Sequence, residues 1–340
     1  MSGAFDGFVE WGEELFYRPV ISQRPRKNVS GLFAIVHFHH RSATSRENRV
    51  RQTLMRTTAR VPEVIVKISG SGRGMHRIKV HFEYISRNGQ VDLENQDGDL
   101  IAGHEAVRDL QDEWRYGLYG IPEESHKREA FNIVLSMPPG TSRELVKRAV
   151  RDFAKSEFSR NHQFVFASHE DEKHPHVHLC VKALGIDGTR LNPRKGDLQL
   201  WREGFAEKLR EHGVAANATP RRSRGVLLEY ETQSLVHMRK RGVIDLREGD
   251  RSEISSARGA LSRAESRVVA AYHRLARSLA SSNDVHDRKL AVGIVAFVRQ
   301  MPMISIGRDH VAVIEKDQVR VSIGEILSPI VNGTLEDRGR

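Results

Sequence analysis

"HQFVFASHEDEKHPHVHLCVKAL", residues 162–184, is two apolar runs joined by the charged turn "EDEKHP". Each run has the length and composition of a strand, and the turn between them is short enough to fold one back on the other. The stretch also gathers His169, His174, His176 and His178 within ten residues.

Reading outward, "EAFNIVLSMP" (129–138) is a strong strand, and "PGTSRELVKRAVRDFAKSEF" (139–158) is a helix. Thr141 or Ser142 caps its N-terminus and Glu144 lies in its first turn. Upstream, "VPEVIVKISG" (61–70) alternates into a strand that ends in the glycine-rich "SGSGRG". "MHRIKVHFEYISRNG" (75–89) then places Met75, Ile78, Phe82 and Ile85 at helical spacing, with Asn88-Gly89 as its stop signal. "DLQLWREGFAEKLREHG" (197–213) is an amphipathic helix closed by Gly213. The order strand, helix, strand, strand predicts an α+β fold: an antiparallel sheet with helices packed on its face.

The flanking regions differ. Residues 1–60 read as an irregular segment, basic toward its end. Residues 90–129 read as an acidic linker with a short helix around Val107–Trp114. Beyond residue 226 the pattern changes to an Ala/Ser/Arg-rich helix (253–280), the apolar "LAVGIVAFV", and two short strands near "HVAVIEKDQVRVSI". The expected division is 1–60, a central domain over 61–225, and a smaller C-terminal α/β region over 226–340.

Composition narrows the function. Hydrophobic content of 39% and charged content of 29% fit a globular chain. The run "GLFAIVHFHH" is too short to span a bilayer, and residues 1–20 lack a cleavable apolar core, so a cytoplasmic protein without a membrane span is expected. One cysteine, Cys180, excludes an intramolecular disulfide framework and a cysteine zinc ribbon. The net charge of +10 is concentrated locally: residues 51–87 carry eight basic residues against two acids, and residues 188–224 carry nine against four. Such stretches suit a phosphate backbone, whose neutralisation releases counterions.

On a strand, residues two apart share a face, so His176 and His178 project together. His169 ends the preceding strand and comes alongside across the turn. Three imidazoles converging on one face form a metal site with room for an outside oxygen. Asp171, inside the turn, is placed to orient one imidazole or to act as a base. His174 has the parity of His176, but Pro175 intervenes and it belongs equally well to the turn.

"HEDEKHPHVH" has the form H-x-D-x-x-H-P-H-x-H and closely resembles the metal motif of conjugative relaxases. These are histidine–hydrophobic–histidine endonucleases, here of the P-type mobilisation group related to the T-DNA border nickase. "HFEYISRNG" (81–89) resembles that family's nucleophile motif and makes Tyr84 the candidate. "SMPPGTSRE" (136–144) resembles its second motif, with Ser142 at the place of a DNA-positioning serine. The resemblance covers about residues 61–225, roughly half of the chain.

The resemblance implies a site- and strand-specific nick at a transfer origin by transesterification. Tyr84 would attack the phosphodiester, leaving a 5′-phosphotyrosine and a free 3′-hydroxyl. A phenol has a pKa of ~10, so at neutral pH it needs activation. A metal held by His169, His176 and His178 is one source and Asp171 as base is another. Arg73, Arg77, Lys79 and Arg87 read as contacts to the DNA backbone. The family's usual ion is Mg or Mn, whereas three neutral imidazoles also favour Zn or Ni in vitro. Implied partners are single-stranded DNA at the origin, accessory origin-binding proteins and a type IV coupling protein. Two alternatives stand beside this: a rolling-circle replication initiator of the same chemistry, and a non-enzymatic DNA-binding protein with a structural metal. The initiators generally place the histidine motif before the tyrosine, and here Tyr84 comes first.

Overall fold

The computed structural model describes residues 7–17, 43–226 and 266–301. They fall in two compact units, one built on residues 61–218 and the other on the described residues that flank them.

The central unit is a six-stranded antiparallel sheet: β1 (Ile65–Gly72), β2 (Leu93–Asn95), β3 (Leu100–Ile101), β4 (Ala130–Ser136), β5 (Phe164–His169) and β6 (His176–Lys182), in the order β1-β4-β6-β5-β2-β3. Its helices are α3 (Met75–Ile85), α4 (Gly103–Tyr116), α5 (Arg143–Phe158) and α6 (Lys195–Glu211). The α+β reading holds, with helices on both faces of the sheet. The alternation of each strand explains why. Phe131, Ile133 and Leu135 of β4, Phe164 and Phe166 of β5, and Val177, Leu179 and Val181 of β6 point to one side. There they bury the apolar stripe of α5, Val146, Ala149, Val150, Phe153 and Ala154, together with Trp201 and Phe205 of α6. The other side carries Ala130, Val165, Ala167 and Cys180, which pack under Met75, Ile78, Phe82 and Ile85 of α3 and Trp114 of α4. The intervening residues 90–129, read above as a linker, supply β2, β3 and α4. Glu94 of β2 is buried but receives two guanidinium N–H groups of Arg151, which seats this short strand in the sheet.

Between α5 and α6, Trp201 Nε1 donates to Glu157 Oε1 at 2.8 Å. Burial pushes the Glu157 carboxyl up to about 7, against the pull of the Trp201 bond and with help from nearby Asp197. An unfolded glutamate titrates near 4.5, so between roughly 4.5 and 7 the folded state holds the extra proton and stability falls as pH rises. Glu157→Gln keeps the acceptor and removes the charge. We expect no stability difference at pH 4.5 and a gain of about 2–3 kcal/mol at pH 8, several degrees in Tm, from thermal melts across that range.

The second unit is helical. α1 (Phe8–Phe16), α2 (Ala43–Thr58), α7 (residues 266–280) and α8 (Val285–Arg299) enclose Phe8, Phe16, Val50, Leu54, Tyr272, Leu279 and Ile294. The expectation of an irregular residue 1–60 segment is thus corrected for residues 8–16 and 43–58. α2 was hard to read because Thr53 and Thr57 occupy two of its four buried positions; Thr57 Oγ1 donates to Thr53 O at 2.7 Å. α1 approaches α2 closely through Gly12, where any Cβ would collide with Val50. Arg51 of α2 donates to both carboxylate oxygens of Asp287 of α8, each at 2.9 Å. The apolar "LAVGIVAFV" lies in α8. Residues 253–265 and the two strands expected near 310–323 lie outside the described residues. No described helix is long and apolar enough to cross a membrane.

Candidate active site

The β5–β6 hairpin pairs His169 with His176 and Ala167 with His178, so all three histidines stand on the face that carries α3. Their ring centroids are 4.5 Å (His169–His178), 5.2 Å (His176–His178) and 5.5 Å (His169–His176) apart. One ligand nitrogen from each lies within 4.8 Å of the others. His169 Nε2 donates to Ile85 O at 2.8 Å and His176 Nδ1 donates to His174 O at 3.0 Å. Each of these bonds fixes a tautomer and turns the lone pair to the opposite nitrogen, the arrangement that orients metal-ligating histidines; on His169 that nitrogen, Nδ1, accepts from Arg87 Nη2 at 3.3 Å. His174 thus serves the turn through its carbonyl. Burial, then repulsion by His169 and His176, holds His178 down at about 3. Burial, with Arg87 and His176 adding, also holds His169 below its ordinary value despite the bond to Ile85 O. Metal binding requires neutral imidazole, and these two are neutral at pH 7 without any metal. The donor set fits one divalent ion.

Tyr84 sits at the C-terminal end of α3, half exposed. Its ring centroid is 5.5 Å from that of His178 and 5.9 Å from that of His169, edge-on to both. The residues that follow it explain the shape of the "YISRNG" motif. Arg87, Asn88 and Gly89 all take positive φ (51°, 56° and 83°), reversing the chain within one turn. Buried Ser86 accepts the Gly89 N–H at 3.2 Å, and a Cβ at Gly89 would run into the backbone of Gly103 and His104. The reversal brings the Arg87 guanidinium 5.3 Å from the Tyr84 ring centroid and 3.3 Å from His169 Nδ1, and into an ion pair with Asp171.

The other expected residues separate. Asp171 is exposed and bonded to Arg87, and no described histidine bonds its carboxylate. Slight desolvation raises that carboxyl, but Arg87 foremost, then a backbone bond and the histidines, hold it below the usual range. Ser142 is the N-cap of α5, its Oγ accepting the Leu145 N–H at 3.4 Å. Arg77 lies seven residues before Tyr84, on the same face of α3, and Arg73 lies in the turn before the helix. Lys79, five residues before, projects about 140° away around the helix. The sequence reading missed Arg143, whose guanidinium donates to His169 O at 3.0 Å and to Glu172 O, clasping the hairpin from the start of α5. It also missed His81, which stacks on Tyr84. Spacing on α3, three residues from the tyrosine, was the available signal.

The central hairpin of an open antiparallel sheet thus presents three histidines to a helix-borne tyrosine. Residues 89–214 match the family model "Relaxase: MobA/VirD2-like, nuclease domain", a match that supports a relaxase of the VirD2 type. The matched segment contains the hairpin and Ser142 and begins five residues after Tyr84. The chain is similar to the T-DNA border endonuclease VirD2 of Rhizobium radiobacter (26% identity over 185 residues, 48% of this chain and 43% of that protein). It is also similar to the same-named proteins of Rhizobium rhizogenes (27% over 183 residues, 48% and 42%) and Agrobacterium fabrum (28% over 183 residues, 48% and 41%). The chain spans about two fifths of the length of these curated relatives.

Proposed function

We propose that the chain is a site- and strand-specific DNA relaxase that nicks a transfer origin by tyrosine transesterification. The observation that carries this reading is the approach of the Tyr84 ring to His169 and His178, with centroids less than 6 Å apart. The Tyr84 oxygen attacks the scissile phosphorus and the bond from phosphorus to the 3′ oxygen breaks. The phenolic proton leaves and a proton returns to the 3′ oxygen, so the products are a 5′-phosphotyrosine and a 3′-hydroxyl. His169, His176 and His178 hold one divalent cation, Mg or Mn, with Zn or Ni able to replace it in vitro; when bound it polarises a non-bridging phosphate oxygen and offsets the charge of the pentacovalent transition state.

The remaining side chains divide the work by charge. Arg87 reaches both the nucleophile ring and the histidines, where a phosphate would lie, and Asp171 orients that guanidinium. The low carboxyl pKa of Asp171 makes it a weak base, so orientation is the better reading of its role than proton abstraction. Arg77 and Arg73 continue the basic track along α3 for single-stranded DNA, and Ser142 offers a hydroxyl and the N–H groups of a helix start as a separate phosphate contact. The VirD2 relatives are T-DNA border endonucleases by name, and the corresponding substrate here is a transfer origin. Accessory origin-binding proteins and a type IV coupling protein in the cytoplasm complete the proposal.

The test is a denaturing gel of the full chain with Mn and end-labelled single-stranded oligonucleotides tiled over the adjacent transfer region. A slow-migrating covalent product is expected on one oligonucleotide. A nick without attached protein would instead indicate water as nucleophile. Binding without cleavage on every oligonucleotide would favour a non-enzymatic DNA-binding role.

A further inference from the structure

The three histidines are not held equally by the sheet. His176 and His178 lie within β6 and are paired on both sides, with Ser136 and Val134 of β4 and with His169 and Ala167 of β5. His169 is the last residue of β5 and pairs on one side only, with His176, because β2 meets β5 no further than Phe166. The connection that follows adds little of its own. Glu170 to His174 are all exposed, and among the described residues no backbone hydrogen bond joins two residues of the segment 170–175. Exposed segments without backbone bonds open locally at little cost. Looseness in this turn would therefore be looseness in His169.

Two arginines from other parts of the chain supply bonds that the turn lacks. Arg87 pairs with the Asp171 carboxylate. Arg143 takes the main chain: its Nη1 donates to His169 O at 3.0 Å and its Nη2 donates to Glu172 O. A guanidinium is planar with its donors in a rigid fork, so two such bonds at once fix the separation of the two carbonyls. The topology brings Arg143 to this place. Ser136 ends β4 opposite His176, and Met137 N donates to Pro175 O at 3.0 Å, so the segment leaving β4 runs beside the turn. Arg143 is then the first residue of α5, directly after the N-cap Ser142.

We propose that Arg143 is a positioning residue of this site: by tying His169 O to Glu172 O it fixes the backbone from which the His169 ring reaches the metal. The Ile85 carbonyl orients that ring at Nε2, and Arg143 holds the main chain beneath it. The clasp replaces the second ladder that His176 and His178 receive from β4 and β5 and that His169 does not. This explains why the position suits arginine. A lysine would carry the same charge but, as a point donor, would not span the two carbonyls.

The inference rests on the reading of the three histidines as a metal centre, so the test measures metal first, without DNA. Full-length wild type, Arg143→Met and Arg143→Lys are titrated with Mn by calorimetry, melted, and tested for oligonucleotide binding. Methionine keeps an unbranched stem and removes every donor. Arg143→Met is expected to bind Mn about 10-fold more weakly, the lower end of what losing an outer partner does, with Arg143→Lys between it and wild type. Wild-type Mn affinity in both variants overturns the proposal. A lowered Tm alone would then make the clasp purely structural, and weaker oligonucleotide binding alone would make Arg143 a phosphate contact. Absence of Mn binding by the wild type overturns the metal centre and this inference together. A measurement on Zn-loaded wild type does not depend on the variants folding. The two Nη groups of Arg143 are expected as separate nuclear magnetic resonance signals, because bonds to two carbonyls stop the guanidinium rotating, and a single averaged signal overturns the clasp.

Discussion

Tyr84→Phe is expected to abolish the covalent protein–DNA product while leaving fold, metal binding and DNA binding in place. The substitution removes one oxygen and nothing else. The ring keeps its contacts with His81, His169, His178 and Arg87, all of which are made through the aromatic body. Tyr84 is 50% exposed and its hydroxyl has no hydrogen-bond partner among the described residues, so stability should change by no more than about 0.5 kcal/mol. Product formation should fall by at least about 10⁴-fold, as expected when a covalent nucleophile is deleted and no other group can take its place. The denaturing gel reads the adduct, and anisotropy of a labelled oligonucleotide reads binding in the same preparation. Adduct that persists in Tyr84→Phe would transfer the role to another tyrosine. Exposed Tyr116 ends α4, which packs beside α3, and exposed Tyr119 follows it; both would be tested next.

The local parts of this site were legible in the sequence because their periods are short. H-x-H on a strand fixes the shared face of His176 and His178, and a two-strand hairpin returns His169 to their side. The α3 pattern of Met75, Ile78, Phe82 and Ile85 defines the buried face of the helix, which leaves Tyr84 on the flank. What the sequence did not disclose depends on distant partners. Glu94 is a poor strand residue by composition, and β2 exists because Arg151, far along the chain, neutralises it. Arg143 reads as an ordinary first-turn residue until the hairpin lies against it. Asp171 looked like a partner for a histidine, and only the left-handed turn at Arg87 and Asn88 reveals that an arginine arrives first. α2 was missed because threonines stand at half of its buried positions, where the hydroxyl of Thr57 is satisfied by its own helix.

The other large effect is expected at His178. His178→Ala should weaken Mn binding by at least about 100-fold. A four-ligand structural zinc site is worth roughly 10–16 kcal/mol, so by that scale one ligand carries about 3 kcal/mol, slightly more than two powers of ten. Here the loss should meet that figure, because His178 is central to the cluster. It is 4.5 Å from the ring of His169 and 5.2 Å from that of His176, closer to each than they are to one another. It also sits 5.5 Å from the Tyr84 ring, so its removal opens space beside the nucleophile as well. Covalent product should therefore vanish at micromolar Mn and return only in part at millimolar Mn. His169, whose imidazole is held down chiefly by burial, should survive the change as a neutral donor. Calorimetric titration of wild type and variant, each stripped with chelator, measures the affinity directly. Equal affinity in the two proteins would place the ion elsewhere and leave the three histidines as a packed cluster under Tyr84.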